Sequence, residues 1–151
     1  MRPGVPESLL QTIREAWAWR GFEPVELVDL NAFGEAIVRT EDQAFWRISP
    51  DELSLNRIAD TPAAFETLRL DPAFAEDWRM ERLVEVALQF LGPTPLGRCY
   101  YFVIPPVLGG AYDAANMQFV RLTELHSLAG DLACQIDGLP DGAQIELKVV
   151  D

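Results

Sequence analysis

The stretch EAIVRTEDQAFWRIS, residues 35–49, sets two short runs of β-branched and aromatic residues around a polar triplet. Runs of this kind favour strands, and a polar triplet between them favours a turn. We read Glu35 to Thr40 as one strand and Ala44 to Ile48 as its antiparallel partner, with Glu41-Asp42-Gln43 turning the chain. Side chains alternate along a strand. Ala36 and Val38 therefore share a face, and so do Trp46 and Ile48 on the return strand. Pro50 lacks the N–H that a ladder needs and ends the second strand. Ser49-Pro50-Asp51-Glu52 then begins a turn or short helix.

An apolar hairpin face must be covered, and helices on either side supply the cover. Leu9, Ile13, Ala16 and Trp17 form a stripe at helical spacing, predicting a helix from Pro6 to Arg20 that stops at Gly21. Residues 22–33 show no clean period and read as irregular or briefly extended. Thr61-Pro62 starts a second helix, with Phe65, Leu68 and Leu70 on its apolar side. After Asp71-Pro72, a longer helix is expected over Ala73 to Leu91, with Met80, Leu83, Val84, Ala87, Leu88 and Leu91 as its stripe. Gly92-Pro93 ends it. Cys99 to Ile104 is a nearly continuous apolar run, which suggests a central strand buried on both faces. Met117 to Val120 reads as a short strand. A helix capped by Thr123 follows, with Leu125, Leu128, Leu132 and Ile136 facing the core and Asp137-Gly138 at its end. Pro140-Asp141-Gly142 turns into an alternating strand carrying Ile145, Leu147 and Val149. The layout predicts an α+β fold: a largely antiparallel sheet packed against several helices in a single compact unit.

Composition excludes several classes. The chain has 151 residues, 49% of them hydrophobic, enough for a substantial core without disulfide or metal staples. No apolar run approaches the ~20 residues of a membrane helix. No apolar signal core follows Arg2, and the expected location is cytoplasmic. The net charge is −12, the pI near 4.4, and Lys148 is the sole lysine. The acid is spread along the chain and not confined to a tail. Such a surface repels nucleic acid and anionic membranes and speeds encounter with a basic partner.

Reactive groups are sparse. One histidine, His126, cannot build a Cys/His zinc site, and no metal or cofactor is expected. A Cys99–His126 dyad oriented by Asp131 or Asp137 is conceivable chemistry, but a thiol in an apolar strand resists ionisation. Cys99 and Cys134 read as two buried thiols and His126 as a partly exposed helix residue. Gly109-Gly110 lacks the lysine of a phosphate loop and reads as a tight turn. The adjacent carboxylates Glu41/Asp42, Asp51/Glu52 and Glu76/Asp77 read as solvated turns and helix starts. Trp19 lies off the first helix's stripe and reads as an exposed contact.

One block carries a resemblance. Residues 97–136, GRCYYFVIPPVLGGAYDAANMQFVRLTELHSLAGDLACQI, resemble the C-terminal domain of the type VI secretion DNase-immunity family. The matching positions are Gly97, Tyr100, Phe102, Leu108, Gly109, Gly110, Asp113 and Asn116, followed by the amphipathic helix. The first helix with Gly21, and FWRISPDEL from Phe45 to Leu53, resemble the GAD-like domain that precedes it in that family. The resemblance implies a GAD-like region at 1–60 and an immunity-type region at 61–151 sharing one core. It also implies stoichiometric inhibition of a cognate, basic, secreted DNase, and no catalytic residues. A nuclease cleft that grips a polymer with one charge per ~1.7 Å must be basic, which agrees with the acidity of this chain. We expect the toxin to meet exposed acids and one aromatic anchor: Glu41, Asp42, Tyr112, Asp113, Asp137 and Asp141. A general protein-binding adaptor is the alternative class.

Overall fold

A computed structural model describes residues 5–139. The expected strand at 143–150 and the turn before it lie outside them. The fold is α+β, built on a four-stranded antiparallel sheet and a separate two-stranded ribbon.

The sheet is a meander of β1 (Pro24–Leu30), β2 (Ala36–Thr40), β3 (Phe45–Ser49) and β4 (Ser54–Ala59). Gln43 takes a φ of 71° in the expected turn. Ala36 pairs with Ile48 and Val38 with Trp46, so these four side chains share one face. Of the two readings of residues 22–33, irregular or briefly extended, the extended one holds, because β1 occupies 24–30. Its register slips twice against β2, and a bulged strand shows no strict period of two. The turn expected from Ser49 to Glu52 is present at residues 50–53, and β4, which the sequence did not suggest, follows it. Asn56 and Arg57 are consecutive exposed residues beside another bulge, which hides its alternation.

One face of the sheet is covered by α1 (Val5–Ala16) and α5 (Leu122–Ile136). Leu9, Ile13 and Trp17 meet Leu27, Val38, Ile48 and Leu55 of the sheet and Leu125, Ala129 and Ala133 of α5. Each large apolar side chain buried there contributes about 1.5–3 kcal/mol. The two helices touch at Gly130, where a Cβ would lie 2.5 Å from the Ala16 carbonyl oxygen. On the opposite face, Ile37, Phe45 and Ala59 pack against Phe65 of α2 (Pro62–Arg69), and Phe74 and Trp78 of α3 (Pro72–Arg79) lie at the margin. Thr61 and Asp71 cap these helices, accepting hydrogen bonds from the N–H groups of Ala64 and Ala73. Leu70, expected on the apolar side, is 83% exposed.

The long helix expected from Ala73 to Leu91 is two. α3 ends and α4 (Glu81–Leu91) begins at Met80, whose φ of 49° is left-handed. α4 covers the ribbon of β5 (Arg98–Phe102) and β6 (Met117–Arg121), burying Ala87 against Tyr100, Phe102 and Met117. β5 is buried on both faces over Cys99 to Phe102 as expected, but it is corrected from a central strand to one of a two-stranded ribbon. Cys99 faces the main core, Tyr100 and Phe102 face α4, and Val103 and Ile104 lie exposed beyond the strand. β2 is likewise buried on both faces, at Ala36 to Val38. In α5, Arg121 and not Thr123 precedes the first turn, and Leu128 is half-exposed. Cys134 is exposed rather than buried. Trp19 is no free contact, since it stacks on Trp17 and packs against the main core.

Candidate acidic cleft

Acids from separate elements gather around one open cleft of about 1080 Å³. The strand ends of β3 and β4, the α3–α4 corner and the segment at Tyr112 surround it. Its carboxylates are Glu35, Asp51, Glu52, Glu76, Asp77, Glu81, Glu85 and Asp113, against the cations Arg47 and Arg82. Acidic side chains outnumber basic ones there by six, against an excess of twelve over the whole chain. Among the described residues, no three His, Cys, Asp or Glu side chains converge to hold a metal ion.

The floor is a hydrogen-bonded network. Glu35, nearly fully buried, accepts from Arg47 Nε and Nη2 at 3.1 Å each. It also accepts from Asn31 Nδ2 at 2.9 Å and from Ser49 Oγ at 2.6 Å. Arg47 reaches on to Asp77 of α3 at 2.7 Å, and its guanidinium lies 5.1 Å from the centre of the Trp78 ring and 5.8 Å from that of Phe74. A cation held between two carboxylates and two aromatic faces ties α3 to the sheet. Asn31 adds a second tie, donating to the Trp78 carbonyl while accepting from the N–H groups of Phe33 and Glu35. These ties frame the left-handed turn at Met80 and aim Glu76, Asp77 and Glu81 at the cleft.

Ser49 Oγ lies 2.6 Å from Glu35 and 2.7 Å from Asp51. A hydroxyl has one hydrogen and donates to one acceptor. The second short contact therefore needs a proton on a carboxylate. Burial pushes both Glu35 and Asp51 above the ordinary carboxylate range, against the lowering effect of the Ser49 hydrogen bond and Arg47. The Tyr112 hydroxyl is also pushed up, first by burial and then by the negative charge of Asp51, Glu52 and Glu35.

The sequence-derived contact residues scatter. Tyr112 and Asp113 border the cleft. Glu41 and Asp42 lie on the β2–β3 turn beside a smaller depression with Arg20, Phe22 and Trp46. Asp42 is ion-paired to Arg57 there and held below the ordinary range, chiefly by the Thr40 hydroxyl. Asp137 is exposed at the end of α5, and Asp141 lies outside the described residues. The acids Asp51/Glu52 lie in a turn and Glu76/Asp77 are exposed on α3, as read, and all four line the same cleft. A signal for part of it was present. Glu81 and Glu85 are like charges four apart on one helix, a local cost of a few tenths of a kcal/mol.

His126, one half of the conceivable dyad, lies in the core. His126 is fully buried, and its Nε2 sits 2.6 Å from the Gly34 carbonyl oxygen. Burial lowers its pKa to about 4, so the ring is neutral and Nε2–H is the donor. The reading of His126 as a surface residue is corrected.

Fold and cleft together define an acidic α+β protein with a carboxylate-lined cleft. Residues 59–133 match the family model described as T6SS immunity protein Tdi1, C-terminal, a match consistent with a type VI secretion immunity family. No curated protein matches it significantly. Among solved structures it resembles the crystal structure of Atu4351 from Agrobacterium tumefaciens, with a TM-score of 0.55 and 20% identity. That similarity covers 83% of this chain and 63% of the other, and it speaks to the fold.

Proposed function

We propose that this chain is a cytoplasmic immunity protein that neutralises a cognate secreted DNase by binding it stoichiometrically, without catalysis of its own. The concentration of half of the chain's excess of acidic over basic side chains in one cleft carries this reading. The family match of residues 59–133 supports it. A DNA-cutting enzyme needs a cationic surface to grip phosphates. An acidic cleft competes for the same arginines and lysines through charge-assisted hydrogen bonds. The carboxylates converging there extend the earlier set of Glu41, Asp42, Tyr112, Asp113, Asp137 and Asp141, and we place the toxin on the side of Tyr112 and Asp113. We assign residues 1–60 as a GAD-like region and 61–151 as the immunity-type region. The main core, which draws on α1, the sheet and α5, supports treating them as one unit.

Co-purification with the basic product of the neighbouring gene tests the reading. The expected result is a one-to-one complex that blocks DNA cleavage and weakens as salt is raised. Full nuclease activity in the presence of excess chain would refute it.

A further inference from the structure

The segment 103–112 between β5 and β6 exposes four large apolar side chains. Val103 is 45% exposed, Ile104 46%, Val107 53% and Tyr112 52%. Isolated exposed apolar residues are ordinary, but several on one short loop mark a contact surface. This loop is rigidly built. Asn116 holds it from inside, with Oδ1 accepting from the Ile104 N–H and Nδ2 donating to the carbonyls of Ile104 and Ala111. Gly110 passes so close that a Cβ there would lie 1.8 Å from the Ile104 carbonyl oxygen. Gly109 takes a φ of 101° in the turn before it. Tyr112 rests edge-on against Phe102, their ring centres 5.1 Å apart. The Leu108-Gly109-Gly110 turn, Asp113 and Asn116 thus serve the loop's shape.

The loop also borders the acidic cleft. Val107 gives its N–H to the carbonyl of Asp51, a cleft residue, and Tyr112 and Asp113 line the cleft itself. Protein interfaces join an apolar, well-ordered anchor to a charged rim, and the anchor supplies most of the affinity. We propose that loop 103–112 is the apolar anchor of the partner interface. It docks a protein that presents an apolar patch beside arginine and lysine side chains, and those cations enter the cleft. This rests on the function proposed above. Charge complementarity selects the partner, since a face beside a cleft in which acidic side chains outnumber basic ones by six repels an acidic protein, a nucleic acid or an anionic membrane.

The test is binding kinetics of the full chain with the neighbouring gene's basic product. Ile104→Asp/Val107→Asp alters two exposed side chains, and unchanged melting verifies the fold. The account expects a loss of affinity of about 100-fold, mostly as faster dissociation, with the salt dependence of association retained. Val107→Leu, which keeps the surface apolar, is expected to bind within about threefold of the native chain. Native-like dissociation of the double aspartate variant would overturn the loop's role while leaving the proposed function standing. Failure of the native chain to bind would overturn both. A native dimer that dissociates on the same double substitution would assign the loop to a second copy of this chain and also overturn the proposal.

Discussion

His126 is neutral because no water reaches it, and its protonation is coupled to unfolding. Its pKa falls from 6.5 to about 4 on folding. The unfolded chain then binds the proton better, so this contribution is full above pH 6.5 and is lost as pH falls toward 4. At 1.36 kcal/mol per unit the loss is about 3 kcal/mol. Glu35 and Asp51 act in the opposite direction. Their pKa values are raised on folding, so their contribution improves as pH falls toward the ordinary carboxylate range. Urea unfolding of the native chain and of His126→Gln across this window separates the two, and the native chain should show the steeper loss on acidification. Asn31 is the other residue with an outsized role. Replacing it by Ala removes the donor to Glu35 and to the Trp78 carbonyl, and the acceptor for two backbone N–H groups. Asn31→Ala should cost about 2–3 kcal/mol by urea denaturation.

At the scale of elements, the joint between α3 and the sheet decides the shape of the cleft. Arg47 is its centre, and Glu35 beneath it is nearly fully buried. Removing the cation strands a buried carboxylate, so Arg47→Met should destabilise by about 3–5 kcal/mol. Adding Glu35→Gln should recover a large part of that, and a double-mutant cycle by thermal or urea melting measures the coupling. The elements differed in how legible they were. The β2–β3 hairpin and α1 announce themselves, because unbulged pairing and a regular apolar stripe leave clean periods of two and 3.6. β1 and β4 do not, since their bulges break alternation at Glu26 and Arg57. The break at Met80 was invisible because no Gly or Pro marks it. Ties from Asn31 and Arg47, distant in sequence, hold it in place. Thr61 was readable as a helix start, since its hydroxyl satisfies an orphan N–H three residues on, whereas Asp71-Pro72 read as a break and proves also to cap α3.

At the scale of the whole molecule, the acidity was legible but its focus was not. Asp51, Glu76, Glu85 and Asp113 meet at one cleft through topology, which no spacing along the chain encodes. Tyr112 and Asp113 could be chosen from the sequence because they sit beside the Gly109-Gly110 turn, whereas Glu41 and Asp42 belong to another edge. Steered association depends on where charge lies as well as how much there is. The decisive measurement is the association rate with the neighbouring gene's basic product as a function of ionic strength, by stopped flow. It compares the native chain, a cleft variant (Glu81→Gln/Glu85→Gln) and a control on α1 (Glu7→Gln/Glu15→Gln) of equal net charge. The account predicts that the native rate falls about tenfold or more as salt rises, that the cleft variant is slower and less salt-sensitive, and that the control tracks the native chain. Equal behaviour of the two variants, or a native rate indifferent to salt, would contradict it.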